Sequence, residues 1–325
     1  MKHIDTHVHF RDWGESYKYT IGKGMELARS QGIVAVCDMP NTKPSIITPE
    51  LVRRRLRTAD EQGCLEGYYV YIGATSSADQ LRSAFTEIKQ NPKVVGMKLY
   101  AGRSTGDLSV VDDEDQRKVY RIAKEQHYTG IIAVHCEDES LACYSCWEPE
   151  RPFTWNLAKP PSMEVKGVAN QIAFARQEGF NGNLHICHTS TAAAVELVND
   201  AKTQMSITCA VTPHHLTYST YDMQCSSATM LKVNPPIKDV DEMFRLRGLL
   251  RAGKIDWIET DHAPHSVEEK TYMAGKPKET YMSGIRSMDS YGDFIQMLKN
   301  NEFTEQQIEA LTYSNIKKVY TKIIE

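Results

Sequence analysis

Ile33-Val34-Ala35-Val36-Cys37-Asp38, followed after a loop by Thr48-Pro49 and the amphipathic stretch Leu51–Gln62, reads as a strand feeding a helix. The first run is apolar and β-branched, as a strand covered on both faces must be. Thr48 offers an N-cap oxygen, and Pro49 takes the first helical position, where a missing N–H costs nothing. Strand patterns recur at His3–Val8, Tyr68–Gly73, Val94–Tyr100, Ile131–His135, Leu184–His188, Ser206–Val211 and Asp256–Asp261. Helical patterns between them include Asp113–Gln126, Ala192–Lys202 and Asp241–Arg251. Strand–helix alternation implies parallel pairing, and eight such units in 325 residues predict an α/β protein, a single (β/α)8 TIM barrel. An open doubly wound sheet is the runner-up, but no Gly-x-Gly-x-x-Gly follows a strand. No linker or repeat divides the chain, so residues 1–325 are read as one domain.

Composition narrows the function classes. A hydrophobic fraction of 41% and a charged fraction of 25% describe a soluble globular protein. A net charge of −4 gives no reason to expect nucleic acid or an anionic membrane as partner. The absence of an apolar run long enough to span a bilayer, and of a secretory leader, predicts a cytoplasmic protein. The eight cysteines are then read as reduced thiols. Cys37, Cys136, Cys187 and Cys209 sit in apolar runs as small hydrophobes, and Cys143/Cys146 is a lone C-x-x-C.

Barrel enzymes place their chemistry at the C-terminal ends of the strands. Here those ends carry His7 and His9, Lys98, His135, His188 and Asp261. In Asp5-Thr6-His7-Val8-His9-Phe10-Arg11, strand alternation puts the two imidazoles on one face, roughly 7 Å apart, with Asp5 behind them. Four histidines and a carboxylate suit zinc and exceed what one tetrahedral ion needs, so a pair of ions is expected. Lys98 has two readings: an ion pair with an acidic side chain, which spacing alone favours, or a carbon dioxide-derived carbamate bridging two ions. Asp261 is placed to ligate an ion and to carry a proton. Arg11, Asn41 in Met39-Pro40-Asn41-Thr42, and His265 converge on the same mouth, which suits a small carboxylated amide.

These segments resemble, in order along nearly the whole chain, the motif series of dihydroorotases in the amidohydrolase superfamily. The resemblance is carried by Asp5–Arg11, Met39–Thr42, Gly96-Met97-Lys98-Leu99-Tyr100, Val134-His135-Cys136-Glu137 and His185–Ser190, then by Thr212-Pro213-His214-His215-Leu216, Asn234-Pro235-Pro236 and Asp261-His262-Ala263-Pro264-His265. It implies two Zn2+ ions held by His7, His9, carboxylated Lys98, His135, His188 and Asp261, which reverses the spacing-only reading of Lys98. It assigns the ring carboxylate to Arg11, Asn41 and His265, with Asn234 as a further substrate contact. Asp261 is the implied catalytic residue, moving a proton between a bridging hydroxide and the ring nitrogen. The implied reaction is reversible closure of N-carbamoyl-L-aspartate to L-dihydroorotate in pyrimidine synthesis. A hydantoinase- or allantoinase-like enzyme and an inactive, partner-binding barrel are the alternatives.

The chain departs from the family pattern in four places. Ala210 stands where relatives carry an acidic residue, and Ser283-Gly284-Ile285-Arg286-Ser287 replaces a Pro-Gly-Leu-Glu-like turn. The flanking β-sandwich of many relatives is expected to be missing. Leu141–Glu164 is an insertion after strand five that either covers the site or forms an interface. Arg103-Ser104-Thr105-Gly106 reads as a surface turn or, alternatively, a lid. His3, His185 and His214 are assigned to packing and hydrogen bonding, His127 to an exposed helix end, and His262 to support of the site. A homo-oligomer, or association with another pyrimidine-pathway enzyme, is the expected assembly.

Overall fold

The structure is a computed structural model describing residues 1–103 and 108–324. Ser104, Thr105 and Gly106 of the expected lid lie outside the described residues. Eight strands form one parallel sheet in sequence order: β1 (His3–Val8), β2 (Ile33–Asp38), β3 (Tyr68–Gly73), β4 (Val94–Ala101), β5 (Ile131–Cys136), β6 (Asn183–Ile186), β7 (Ile207–Val211) and β8 (Trp257–Ile258). Val8 pairs with His262 just past β8, and the His9 N–H donates to the His262 carbonyl at 2.8 Å. That junction brings the two ends of the sheet together, so the open-sheet alternative fails. Among the described residues every strand belongs to this barrel.

The helices are α1 (Ile21–Ser30), α2 (Pro49–Glu61), α3 (Ala78–Gln90), α4 (Asp113–Glu125), α5 (Trp155–Ala158), α6 (Pro161–Gln177), α7 (Ala192–Ala201), α8 (Pro213–Thr217), α9 (Val240–Arg251), α10 (Val267–Lys270), α11 (Tyr291–Asn300), α12 (Glu305–Glu309) and α13 (Asn315–Val319). Thr48 caps α2 as expected, its hydroxyl accepting from the Leu51 N–H at 3.3 Å. Two apolar layers result. An outer layer joins strands to helices through residues such as Val36, Leu81, Val119 and Val195. An inner layer fills the barrel floor with Ile4, Tyr69, Tyr71 and Trp257, and the C-terminal residues Ile316, Tyr320 and Ile323 plug it from below. Tyr71 and Tyr320 share a hydrogen bond of 2.6 Å there. Polar side chains are thus left to the opposite end of the strands.

Two sequence expectations need correction. Strict alternation along β1 does not hold: Ile4 packs in the inner layer and Val8 in the outer one, across a register shift between Asp5 and Val8. Asp5 therefore does not stand behind the histidines; its carboxylate accepts from the Thr260 N–H and hydroxyl and from the His7 N–H. The sixth and eighth strands are also shorter than Leu184–His188 and Asp256–Asp261. His188 (φ 35°) and Asp261 (φ 47°) adopt left-handed backbone, which a strand cannot contain. No helix of the described residues is long and apolar enough to cross a membrane.

Candidate active site

Six of the predicted residues reach one buried locus. His7 and His9 come from the end of β1 and the residue beyond it, and Asp261 follows β8. His7 Nε2 lies 3.2 Å from His9 Nε2 and 3.4 Å from Asp261 Oδ1, and His9 Nε2 lies 3.0 Å from the same oxygen. The opposite ring nitrogens are engaged: His7 Nδ1 by Glu259 Oε1 at 3.1 Å, His9 Nδ1 by Asn41 Oδ1 at 2.7 Å. Glu259 and Asn41 thus hold the two Nδ1 atoms, which leaves each Nε2 turned toward Asp261. His135 is oriented the other way round. Its Nε2 meets Glu137 Oε2 at 2.8 Å, and its Nδ1 faces His188 Nε2 at 3.2 Å.

Lys98, on β4, is fully buried, with its Nζ 3.1 Å from Cys187 Sγ. Among the described residues it has no carboxylate ion-pair partner, so the acidic-partner reading of Lys98 is not what the fold provides. Cys187 likewise does more than fill space.

The electrostatics follow from burial. Desolvation lowers the pKa of His9 to about 4, and that of His135 below its usual value, which keeps both rings neutral and able to donate a lone pair. His188 is held well below by burial and by the neighbouring His135 and Lys98. For His7, burial and Lys98 push down, but Glu259 prevails and raises the pKa to about 9. Asp261 is held well below the usual carboxylate range: burial opposes this, and the neighbouring His9 and His7 outweigh it.

Three of the four predicted substrate contacts, Arg11, Asn41 and Asn234, line the same cavity, while His265 stands behind Arg11 and does not line it. Asp261, Ser283 and Gly284 also line it, together with His7, His9, His135 and His188. Arg11 is 2% exposed; its Nε donates to the Pro264 carbonyl at 3.1 Å and its Nη2 lies 3.3 Å from His265 Nε2. Asn41 has its carbonyl turned to His9, and Asn234 has its carbonyl turned to the Trp155 indole at 3.1 Å. The cavity holds about 30 Å³. A chamber of about 510 Å³, sharing Asn234 and Ser283, opens beside it.

Glu259 escaped the sequence reading and is central. Its carboxylate accepts from the Thr6 hydroxyl (2.9 Å), His7 Nδ1 (3.1 Å), His185 Nε2 (3.2 Å) and the His188 N–H (2.7 Å). Its place two residues before Asp261 was the available signal. His185 also bonds the Thr208 hydroxyl and stacks on Trp257, while His3 bonds the Thr312 hydroxyl, both in supporting roles. His214 bonds the Ser287 hydroxyl, and His127 is exposed beyond α4. His262 acts through its carbonyl, which holds the His9 N–H.

No protein-family model matches the chain. It is 33% identical over 317 residues to a dihydroorotase of Ligilactobacillus salivarius, a stretch covering 94% of this chain and 68% of that protein. It is 30% identical over 315 residues to a dihydroorotase of Anaeromyxobacter dehalogenans, covering 95% and 69% respectively. Among solved structures, a dihydroorotase in complex with 5-fluoroorotic acid from Saccharomyces cerevisiae superposes with a TM-score of 0.79 at 16% identity, over 98% of this chain and 84% of that one. An L-hydantoinase (dihydropyrimidinase) from Arthrobacter aurescens gives 0.81 at 18% identity, over 98% and 70%. The structural likenesses speak to the barrel fold, and the sequence relationships settle the family: the chain belongs to the dihydroorotases.

Proposed function

We propose that this protein catalyses the reversible closure of N-carbamoyl-L-aspartate to L-dihydroorotate, as a step of pyrimidine synthesis, with two zinc ions at the barrel mouth. The observation that carries the metal reading is the convergence of His7 Nε2, His9 Nε2 and Asp261 Oδ1 within 3.4 Å of one another, each histidine being fixed from behind by an acceptor. That donor set fits zinc. His135 Nδ1, His188 and Lys98 would hold the second ion, Lys98 as its carbamate, formed when a neutral amine adds carbon dioxide and releases one proton; the absence of a carboxylate partner among the described residues leaves Lys98 available for that role. When bound, the pair supplies Lewis-acid polarisation of the scissile carbonyl and an activated water.

The chain's own residues do the rest. Arg11, fixed by Pro264, presents its guanidinium beside His265 as a seat for the ring carboxylate. Asn41 completes that wall. Asn234, with its carbonyl occupied by Trp155, offers its amide N–H2 to a ring carbonyl. Asp261 Oδ1 faces the two imidazoles, so Oδ2 is the oxygen that takes up a proton and returns it to the ring nitrogen. Closure of the dianionic acid to the monoanionic ring consumes one proton, so the equilibrium shifts toward the ring about tenfold per pH unit of acidification.

The buried Arg11 favours this reading over a hydantoin- or allantoin-type substrate, which lacks the ring carboxylate. The test is turnover of L-dihydroorotate by purified, zinc-replete protein. No turnover with both ions bound would refute the assignment and restore the inactive-barrel alternative.

A further inference from the structure

The insertion Leu141–Glu164 forms short helical turns at Tyr144–Cys146 and Pro152–Thr154, then α5 and the first turn of α6. Trp147, Trp155 and Ala158 pack with Tyr281 into a small apolar cluster of their own beside the cavity. Two of its side chains reach past this cluster to groups the reaction uses. Lys159 is 1% exposed and forms an ion pair with Glu137, whose same oxygen, Oε2, holds His135 Nε2 at 2.8 Å. Lys159 Nζ also donates to the Arg103 carbonyl at 3.3 Å. Trp155 Nε1 donates to the Val233 carbonyl at 3.0 Å and to Asn234 Oδ1 at 3.1 Å.

We propose that this insertion is a positioning arm: Lys159 fixes Glu137 and thereby the rotamer and tautomer of His135, while Trp155 fixes the amide of Asn234. The inference rests on the reading of His135 as a metal ligand and Asn234 as a substrate contact. The chemistry is direct. Lys159 holds the Glu137 oxygen that accepts the His135 Nε2–H. The His135 lone pair then sits on Nδ1, the nitrogen facing His188. An indole N–H can only donate, so Trp155 claims the carbonyl end of Asn234 and turns the amide nitrogens to the ligand. Lys159 and Trp155 line the adjoining chamber, and neither lines the cavity that holds Arg11 and Asp261.

The two arms separate experimentally. Lys159→Met should lower affinity for one of the two zinc ions about 10–100-fold, read as zinc retained per chain against graded chelator, and Lys159→Arg should restore it. Trp155→Phe keeps the ring and removes the N–H; it should keep both ions and raise KM about two- to tenfold with kcat little changed. His135→Ala is the control for the underlying reading. If it retains both ions, His135 is not a ligand and the Lys159 arm falls with that reading. If His135→Ala loses an ion while Lys159→Met retains wild-type zinc affinity, the Lys159 arm alone is overturned. Should Lys159→Met fail to fold, Glu137→Gln probes the same link, and wild-type zinc retention in it counts equally against the arm. An unchanged KM in Trp155→Phe overturns the second arm.

Discussion

Arg11 illustrates how a single side chain is committed before any ligand arrives. Its guanidinium is buried, tied to the Pro264 carbonyl and set beside His265. Arg11→Ala is therefore expected to raise KM for dihydroorotate about 10–100-fold while leaving zinc content unchanged, as checked by steady-state kinetics beside metal analysis. Glu259→Gln should act in the opposite pattern. It replaces an anion that serves four donors with a neutral amide, and zinc affinity should fall about 10–100-fold, visible in chelator competition. The residues proposed as ligands stood out in the sequence because histidine, lysine and aspartate at strand ends are conspicuous. Glu259 was not, since its partners lie 71 to 253 residues away and only the closed barrel brings them together. Asp5 was misplaced for a related reason: a register shift in β1 cannot be seen in a pattern of alternating residues.

At the level of elements, β1 to β5 and the helices α2, α4, α7 and α9 could be read from periodicity, because apolar runs bounded by caps and turns leave few alternatives. The ends of β6 and β8 could not. There the left-handed backbone at His188 and Asp261 overrides strand propensity and turns both side chains into the mouth. The insertion after β5 was visible as a segment but silent about its purpose, since Lys159 and Trp155 gain meaning only from Glu137 and Asn234. Helix α1 offers a test of how tightly the barrel and its outer helices fit. A β-carbon on Gly24 would lie 2.2 Å from the Phe10 ring. Alanine normally favours a helix over glycine by about 1 kcal/mol. Overpacking costs about 1–3 kcal/mol, so Gly24→Ala should lower the thermal midpoint and disturb the neighbouring Arg11.

For the molecule as a whole, acid sensitivity has an identifiable contributor. His3 links the start of β1 to Thr312 near the C-terminus, and burial lowers its pKa from 6.5 to about 4. The unfolded chain thus binds a proton that the folded one refuses between those values, so stability falls as pH drops from 6.5 toward 4. His3→Gln should flatten that part of a melting-temperature profile; an unaltered profile would exclude the contribution. Stripping the proposed zinc ions should also lower the thermal midpoint, because ions bound only by the native fold stabilise it by mass action.

The separation of His7, His9 and Asp261, the first proposed ligand trio, along the chain has a consequence for biogenesis. His7 and His9 leave the ribosome before the carboxylate they face, which is 252 residues behind His9. A nascent polypeptide consequently cannot assemble that trio until its eighth strand has been synthesised and docked against the first. Any fragment stopping short of Asp261 should be unable to complete it, and zinc capture there should report that translation has passed this point.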